Sequence, residues 1–261
     1  MNRKKVLILY LIISMLMTLS GCGIDAMNNS AVSKVSDKQI TEEMAINYNS
    51  DSFDNLEIAN GVGNVNFTST DDSKINVAVK KTVKGKNSEE IKRISKNIRI
   101  KALTENGKIT IKSFYSDQDL WKWKRSNYKN DIILDFAISV PSRIRNFSIN
   151  LGVGDVNIKN ISGQILVDAG VGDIKGNNII AETSSIFNTG TGQIDLNFSD
   201  LSKSDLIKIH ASEGDITIGI PPNSPCILEK HAYMEDTKYV GNQGPRLILN
   251  ADLGHIYIKD Y

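Results

Sequence analysis

Acidic residues follow glycine at a recurring position in this 261-residue chain, and carboxylates in a row could hold Ca²⁺. Asp155, Asp173 and Asp215 each stand directly after a glycine. Ca²⁺ takes several oxygen ligands, so a row of carboxylates along one edge would suit it. Other residue types hold the same position in further copies: Asn64, Gln193 and His255. They interrupt the row, and the nine-residue period of calcium-binding β-rolls is absent. We therefore expect these aspartates to be turn residues without a metal.

The other reactive side chains form no recognisable zinc or catalytic motif. His210, His231 and His255 stand at different positions relative to the glycines, without the Cys or acidic spacing of a zinc site. No Gly-x-Ser-x-Gly elbow is present, and the Gly-x-Gly segments lead into strand-like sequence instead of a dinucleotide-binding helix. Cys226 is interpreted as a small packed residue. The sequence predicts a protein that is not an enzyme and has no cofactor.

The N-terminus has the pattern of a bacterial lipoprotein signal. Three basic residues precede an apolar run at 6–19, which is short for a bilayer span and typical of a secretory signal. Leu19-Ser20-Gly21-Cys22 follows. It resembles the lipobox, in which the cysteine receives a diacylglycerol and becomes the new N-terminus. The alternatives are a plain signal peptide with a chance cysteine, or a short uncleaved anchor.

The predicted organisation has three parts. We expect a signal peptide at 1–21, a lipidated Cys22 with a flexible tether at 22–42, and a folded domain at 43–261. Acyl chains on Cys22 would hold the protein on the extracytoplasmic face of the cell membrane. Cleavage would lower the formal charge from +1 to −2, so no net positive field favours nucleic acid.

A short segment combines tryptophan with basic residues. Leu120 is followed by Trp121, Lys122, Trp123, Lys124 and Arg125. Aromatic rings beside cations could contact a glycan, an anionic wall polymer, lipid headgroups or an envelope protein. The structural alternative is a long hairpin whose tryptophan rings cover the edge of the core.

One phrase repeats along the chain and indicates how these residues are positioned. Its copies are Gly61-Val62-Gly63-Asn64, Gly152-Val153-Gly154-Asp155, Gly170-Val171-Gly172-Asp173 and Gly190-Thr191-Gly192-Gln193, with weaker copies at Glu213-Gly214-Asp215 and Leu253-Gly254-His255. From Gly154 onward, the second glycines are separated by 18, 20, 22 and 40 residues. Positions five before and two or four after that glycine are apolar, except at Gly176. This period-2 pattern around a glycine corner predicts strands with one buried face.

A repeat of this length predicts a mainly β fold built from stacked units. We expect a single-stranded, β-helix-like β-solenoid of roughly 20 residues per rung, in which Val156, Ile174, Ile194 and Ile216 form one internal ladder. The alternative is an antiparallel β-sandwich, which also has short, regularly spaced strands. One packed helix is expected from Ser88, because Ile91, Ile94 and Ile98 have helical spacing. Asn106-Gly107 predicts a two-residue hairpin turn.

The order of these features resembles the bacterial "putative adhesin" domain family, which also occurs in membrane-anchored proteins of Lia-type cell-envelope stress systems. The resemblance covers roughly residues 45–261. It rests on the strand at 61–67, the helix at 88–98, the Asn106-Gly107 turn, the strand ending in Ser139-Val140-Pro141 and the later Gly-x-Gly-Asp copies. The chain departs from the family at 115–129 and 221–246.

The resemblance implies a β-solenoid-like extracytoplasmic domain without known catalysis. We therefore expect a membrane-anchored binding or scaffold protein, adhesin-like or associated with the cell envelope. The alternative is a regulatory or sensory partner of a membrane protein in an envelope-stress pathway.

Overall fold

The computed structural model describes the backbone of residues 29–36, 39–49, 53–233, 235–239 and 243–260. This part of the chain is mainly β and has one hydrophobic core. Its N-terminal half contains β1 (Asn29–Ser36), β2 (Gln39–Asn49), β3 (Asn55–Val62), β4 (Val65–Thr70), β5 (Lys74–Lys84), α1 (Ser88–Asn97), β6 (Ile98–Glu105), β7 (Lys108–Tyr115), β8 (Gln118–Asp119), α2 (Leu120–Ser126) and β9 (Asp131–Pro141). Neither helix in the described residues is long and apolar enough to cross a membrane.

The second half has twelve described strands, and the repeated phrase supplies all but two of them. The twelve are β10 (Asn146–Val153), β11 (Val156–Lys159), β12 (Ser162–Val171), β13 (Ile174–Ala181), β14 (Thr183–Thr191), β15 (Ile194–Asp200), β16 (Ser204–Glu213), β17 (Ile216–Ile220), β18 (Ile227–Ala232), β19 (Glu235–Tyr239), β20 (Arg246–Leu253) and β21 (Ile256–Asp260). Each copy has one strand before its glycine corner and one strand after it, whereas β18 and β19 lie outside the copies. All the described strands join one large curled sheet by hydrogen bonds.

The copies stack in parallel and in register, forming two ladders. The first ladder runs β3, β10, β12, β14, β16 and β20. The second runs β4, β11, β13, β15, β17 and β21. The expected alignment of Val156, Ile174, Ile194 and Ile216 is confirmed, and all four side chains are buried. Ile258 keeps the apolar pattern but is 37% exposed, and it lies in the last described copy.

The corner glycines are required by their backbone conformation and by close stacking. Gly172 has φ of 144°, which residues with a Cβ avoid. A Cβ at Gly172 would also overlap the carbonyl oxygen of Gly154 in the preceding copy. The same overlap recurs one copy later, between Gly192 and Gly172. The glycine corner therefore sets how closely successive copies can approach.

Antiparallel strands extend the second ladder at its N-terminal end. β9 pairs in parallel with β4 and antiparallel with β5, and β2 and β1 follow outward from β5. The first ladder is extended by β7, which pairs with β3 and forms a hairpin with β6. The predicted Asn106-Gly107 turn is confirmed, with positive φ at both residues.

Strands β1 and β2 begin before the predicted start of the folded domain at residue 43. Both strands lie partly or wholly within the predicted tether at 22–42, and β2 packs into the sheet along its whole length against β5. The buried Ile40, Met44, Ile46 and Tyr48 explain this, because their alternation gives β2 one core-facing side. The predicted signal peptide at 1–21 and Cys22 lie outside the described residues.

Helix α1 is confirmed where the sequence predicts it. Asn87 caps it by accepting a hydrogen bond from the Glu90 amide, and Ile91 and Ile94 are buried. The expectation of a single helix is wrong, because the tryptophan segment forms a second short helix, α2. Asp119 accepts hydrogen bonds from the amides of Trp121 and Lys122, and this cap begins α2.

Candidate functional site

Helix α2 lies where the other copies have their glycine corner. β7 pairs with β3 and β9 pairs with β4, so β7 and β9 repeat the two-strand pattern of a copy. The connection between them holds β8 and α2 in place of a Gly-x-Gly corner. The tryptophan segment thus lies at the N-terminal end of the row of glycine corners, next to the corner between β3 and β4.

Both tryptophans are partly buried and pack against the hydrophobic core. Trp121 lies against Gly61, so close that a Cβ on Gly61 would overlap the indole. The Trp121 indole nitrogen is buried, with no hydrogen-bond partner among the described residues. Trp123 stacks on Tyr115 with ring centroids 3.8 Å apart, and the Tyr115 hydroxyl accepts a hydrogen bond from Arg93 at 3.0 Å. These contacts fix the orientation of α2.

The outer side of α2 is basic. Lys122 and Arg125 are exposed and Lys124 is half-buried; within the described chain none of the three forms a salt bridge. Lys129 is exposed just beyond α2, and the Tyr128 side chain is 77% exposed. We call these five residues the basic patch.

Three carboxylates, Asp117, Asp119 and Glu90, have partners outside the basic patch or in the backbone of α2. Asp119 caps α2 through its side chain, and Asp117 lies 3.5 Å from the amine of Lys101. Glu90 accepts a hydrogen bond from the side chain of Asn130. The cations of the basic patch are therefore available to an external anion.

An apolar strip continues from α2 along the corners. Val62, Val153 and Val171 occupy the middle of three successive Gly-x-Gly corners and pair in register. Val153 is 47% exposed and Val171 is 48% exposed. We call these three residues the valine strip. Gly152 and Gly170 precede the last two valines and present bare backbone beside them. The strip ends at Thr191 and Glu213, which hold the same position in the next copies.

The glycine-linked polar residues stabilise the stack. The Asp155 carboxylate accepts a hydrogen bond from the Asp173 amide, and Asp173 accepts one from the Gln193 amide, each at 2.9 Å. Asn64 and Asp215 bind the amides of Asp155 and His255 in the same way. The hydrogen bond from the Gln193 amide holds the pKa of Asp173 below its usual value, and the hydrogen bond and charge of Lys175 lower it further. Each carboxylate thus caps a corner amide of the following copy.

Two of the histidines considered as zinc ligands each lie beside one aspartate. His210 Nε2 is 2.9 Å from an oxygen of Asp252, and His255 Nδ1 is 3.4 Å from an oxygen of Asp215. In the part of the chain that the structure describes, no three His, Cys, Asp or Glu side chains come together as a metal site. Cys226 is half-buried, and burial raises the pKa of its thiol.

The valine strip and the carboxylate contacts were not predicted. The strip had a signal in the sequence, since valine recurs between the glycines of three strong copies. Sequence reasoning assigned the middle position no role, because its exposure depends on the direction of the corner. The aspartates were predicted as turn residues, and the additional feature is their bond to the next copy.

Several solved structures are similar to this chain, among them the following two. No family model matches the chain, and no curated protein matches it. A "putative cell adhesion protein" from Clostridium sporogenes has a TM-score of 0.49 and 14% identity, covering 85% of this chain and 100% of that one. A "putative adhesin" from Bacteroides fragilis has a TM-score of 0.36 and 15% identity, covering 86% and 98%.

Proposed function

We propose that this chain is a lipid-anchored binding protein on the extracytoplasmic face of the cell membrane, with an adhesin-like, non-catalytic role. In this proposal Cys22 carries the lipid, and the stacked copies form a β-solenoid of roughly 20 residues per rung. The in-register parallel pairing of β10, β12 and β14 supports the solenoid. A repetitive face of this kind suits an extended partner such as a wall polymer or an envelope protein.

The observation that carries the binding role is the valine strip. Three valines in register at successive corners leave an apolar line on the surface, and two of them are about half exposed. Single exposed apolar residues are ordinary, whereas a contiguous row beside bare glycine backbone and an indole ring favours a contact surface. Thr191 and Glu213 show that the fold accepts polar side chains at this position.

The proposed anchor is tested by labelling cells with a fatty-acid analogue. The full chain should incorporate the label, and the Cys22→Ala variant should lose it while remaining synthesised. Cys226→Ala is the matched control, because it removes the other cysteine and should leave the labelling unchanged. Equal labelling of the Cys22→Ala variant would refute the lipid anchor.

The binding role is tested by in-cell crosslinking of the tagged full chain, followed by mass spectrometry of the captured material. The Val153→Thr/Val171→Glu variant should capture less, and it uses residue types that the chain itself has at Thr191 and Glu213. Asn177→Glu changes an exposed residue on the second ladder and should capture as the parent does. Equal capture by all three proteins would contradict the assigned surface.

The identity of the captured material separates the two functional candidates. Wall or envelope material without one defined protein supports the adhesin-like role. One recurrent membrane protein would support a regulatory or sensory partner instead.

A further inference from the structure

The position of β1 limits how far the folded domain can lie from a lipid on Cys22. This step rests on the proposed anchor. β1 begins at Asn29, seven residues after Cys22. A fully extended chain spans about 3.3–3.6 Å per residue, so the start of β1 lies within about 25 Å of the anchored residue. The β1 end of the sheet is therefore held close to the bilayer surface.

Helix α2 belongs to the same end of the molecule. It is followed by β9, and β5, β2 and β1 lie successively beyond β9. The register places Asn29 level with Ala137, six residues along β9 from Asp131. With strands about 4.7–4.9 Å apart and about 3.3 Å per residue, the start of β1 lies on the order of 25 Å from the start of β9. A short connection to the bilayer at β1 therefore leaves α2 within reach of the same surface.

The basic patch has the chemistry of a membrane-surface contact. Lys122, Arg125 and Lys129 are exposed, and Tyr128 is the most exposed large apolar side chain among the described residues. Lysine and arginine place their alkyl stems along apolar surface and their charges at headgroup level, where tyrosine is also favoured. Anionic lipids attract such clusters within about one Debye length of the membrane.

We propose that the basic patch of α2 is a second membrane contact, which binds the headgroups of anionic phospholipids beside the lipid anchor. Two contacts on one domain fix its orientation, with β1 and α2 toward the bilayer. The valine strip then runs from α2 away from the membrane and remains accessible to an envelope partner.

The two tryptophans of the chain permit a direct test, since both lie on α2. The acylated full-length protein is bound to vesicles of phosphatidylcholine, with or without phosphatidylglycerol, each carrying a dansyl-labelled headgroup. Energy transfer from tryptophan to dansyl then reports how close α2 is to the bilayer. Transfer should rise when phosphatidylglycerol is present, and the rise should be lost at high salt.

Charge-reversal variants test whether the rise in energy transfer depends on the cations of α2 or only on the net charge of the protein. Lys122→Glu/Arg125→Glu should remove the rise, whereas Lys159→Glu/Lys208→Glu should keep it. The second pair changes the net charge equally at exposed lysines on the stacked strands. Loss of the rise in both pairs would overturn the assignment to α2.

The other outcomes distinguish the membrane contact from the anchor. Equal transfer in neutral and anionic vesicles, with the protein still bound to both, overturns the contact and leaves the anchor standing. A chain that is not acylated and does not bind vesicles refutes the anchor. Transfer that is indifferent to phosphatidylglycerol but is changed by a soluble poly(glycerol phosphate) would assign the patch to a wall polymer and overturn the lipid proposal.

Discussion

Leu196 fills a gap that another copy leaves in the core. Gly176 holds a position that is apolar in the other copies, and it pairs in register with Leu196. The space where a Gly176 side chain would lie is occupied by Ile179 and by Leu196 Cδ2, which is 2.7 Å from the ideal Cβ position. Leu196 is fully buried. Its side chain therefore supports two copies at once.

Leu196→Ala should lower the free energy of unfolding by about 3–5 kcal/mol, in the upper part of the range for buried leucine. We expect a cost in the upper part of that range because Gly176, the in-register neighbour of Leu196, has no side chain that could move into the cavity. Ile258 holds the equivalent position in the last described copy and is 37% exposed. Ile258→Ala should cost only about 1 kcal/mol, since less apolar surface is lost from the core.

The coupling between Leu196 and Gly176 is measured in a double-mutant cycle. Gly176→Ala alone should destabilise the protein, because the new methyl group overlaps Leu196 and Ile179. In the Leu196→Ala background the same methyl group enters vacated space and should cost less. Urea unfolding followed by circular dichroism gives the free energies. Additive effects, or a Leu196→Ala cost no larger than that of Ile258→Ala, would refute this account of the core.

Two further predictions concern the corners. Gly172→Ala should destabilise the protein by roughly 1–3 kcal/mol more than Gly107→Ala, as measured by thermal unfolding. Both glycines have positive φ, but only a Cβ at Gly172 would meet a backbone carbonyl, that of Gly154. Because the folded pKa of Asp173 lies below its unfolded value of 3.8, its charge stabilises the fold above that value and loses this effect as pH falls through the folded pKa. Urea midpoints of the parent and Asp173→Asn should differ at neutral pH and converge in acid; a constant difference would contradict the assignment.

The repeat made the register of the stack predictable. Equal spacing around the second glycine placed Ile174, Ile194 and Ile216 at one phase, and a period-2 pattern leaves only one face for a core. Helix α1 was equally predictable, because Asn87 supplies a cap and the isoleucines have helical spacing. These features depend on local patterns that the sequence contains.

The unpredicted features depend on contacts between distant segments. β1 and the first residues of β2 precede the predicted start of the domain at residue 43. β2 is held in the sheet by pairing with β5, some 35 residues later in the chain. Helix α2 has only seven residues, too few for a clear helical period, and it is fixed by Asp119 and by Trp121 on Gly61. The exposure of the valine strip depends on the direction in which the glycine corner faces, and the local sequence pattern does not contain that direction.

The central claim is that the surface along the glycine corners binds a partner in the envelope. A photoreactive residue placed at Val171 of the full-length chain, in living cells, tests this claim most directly, with the same residue at Asn177 as the control. The account predicts crosslinked envelope material from position 171 and little from position 177. Equal crosslinking from both positions, or none from position 171, would contradict it.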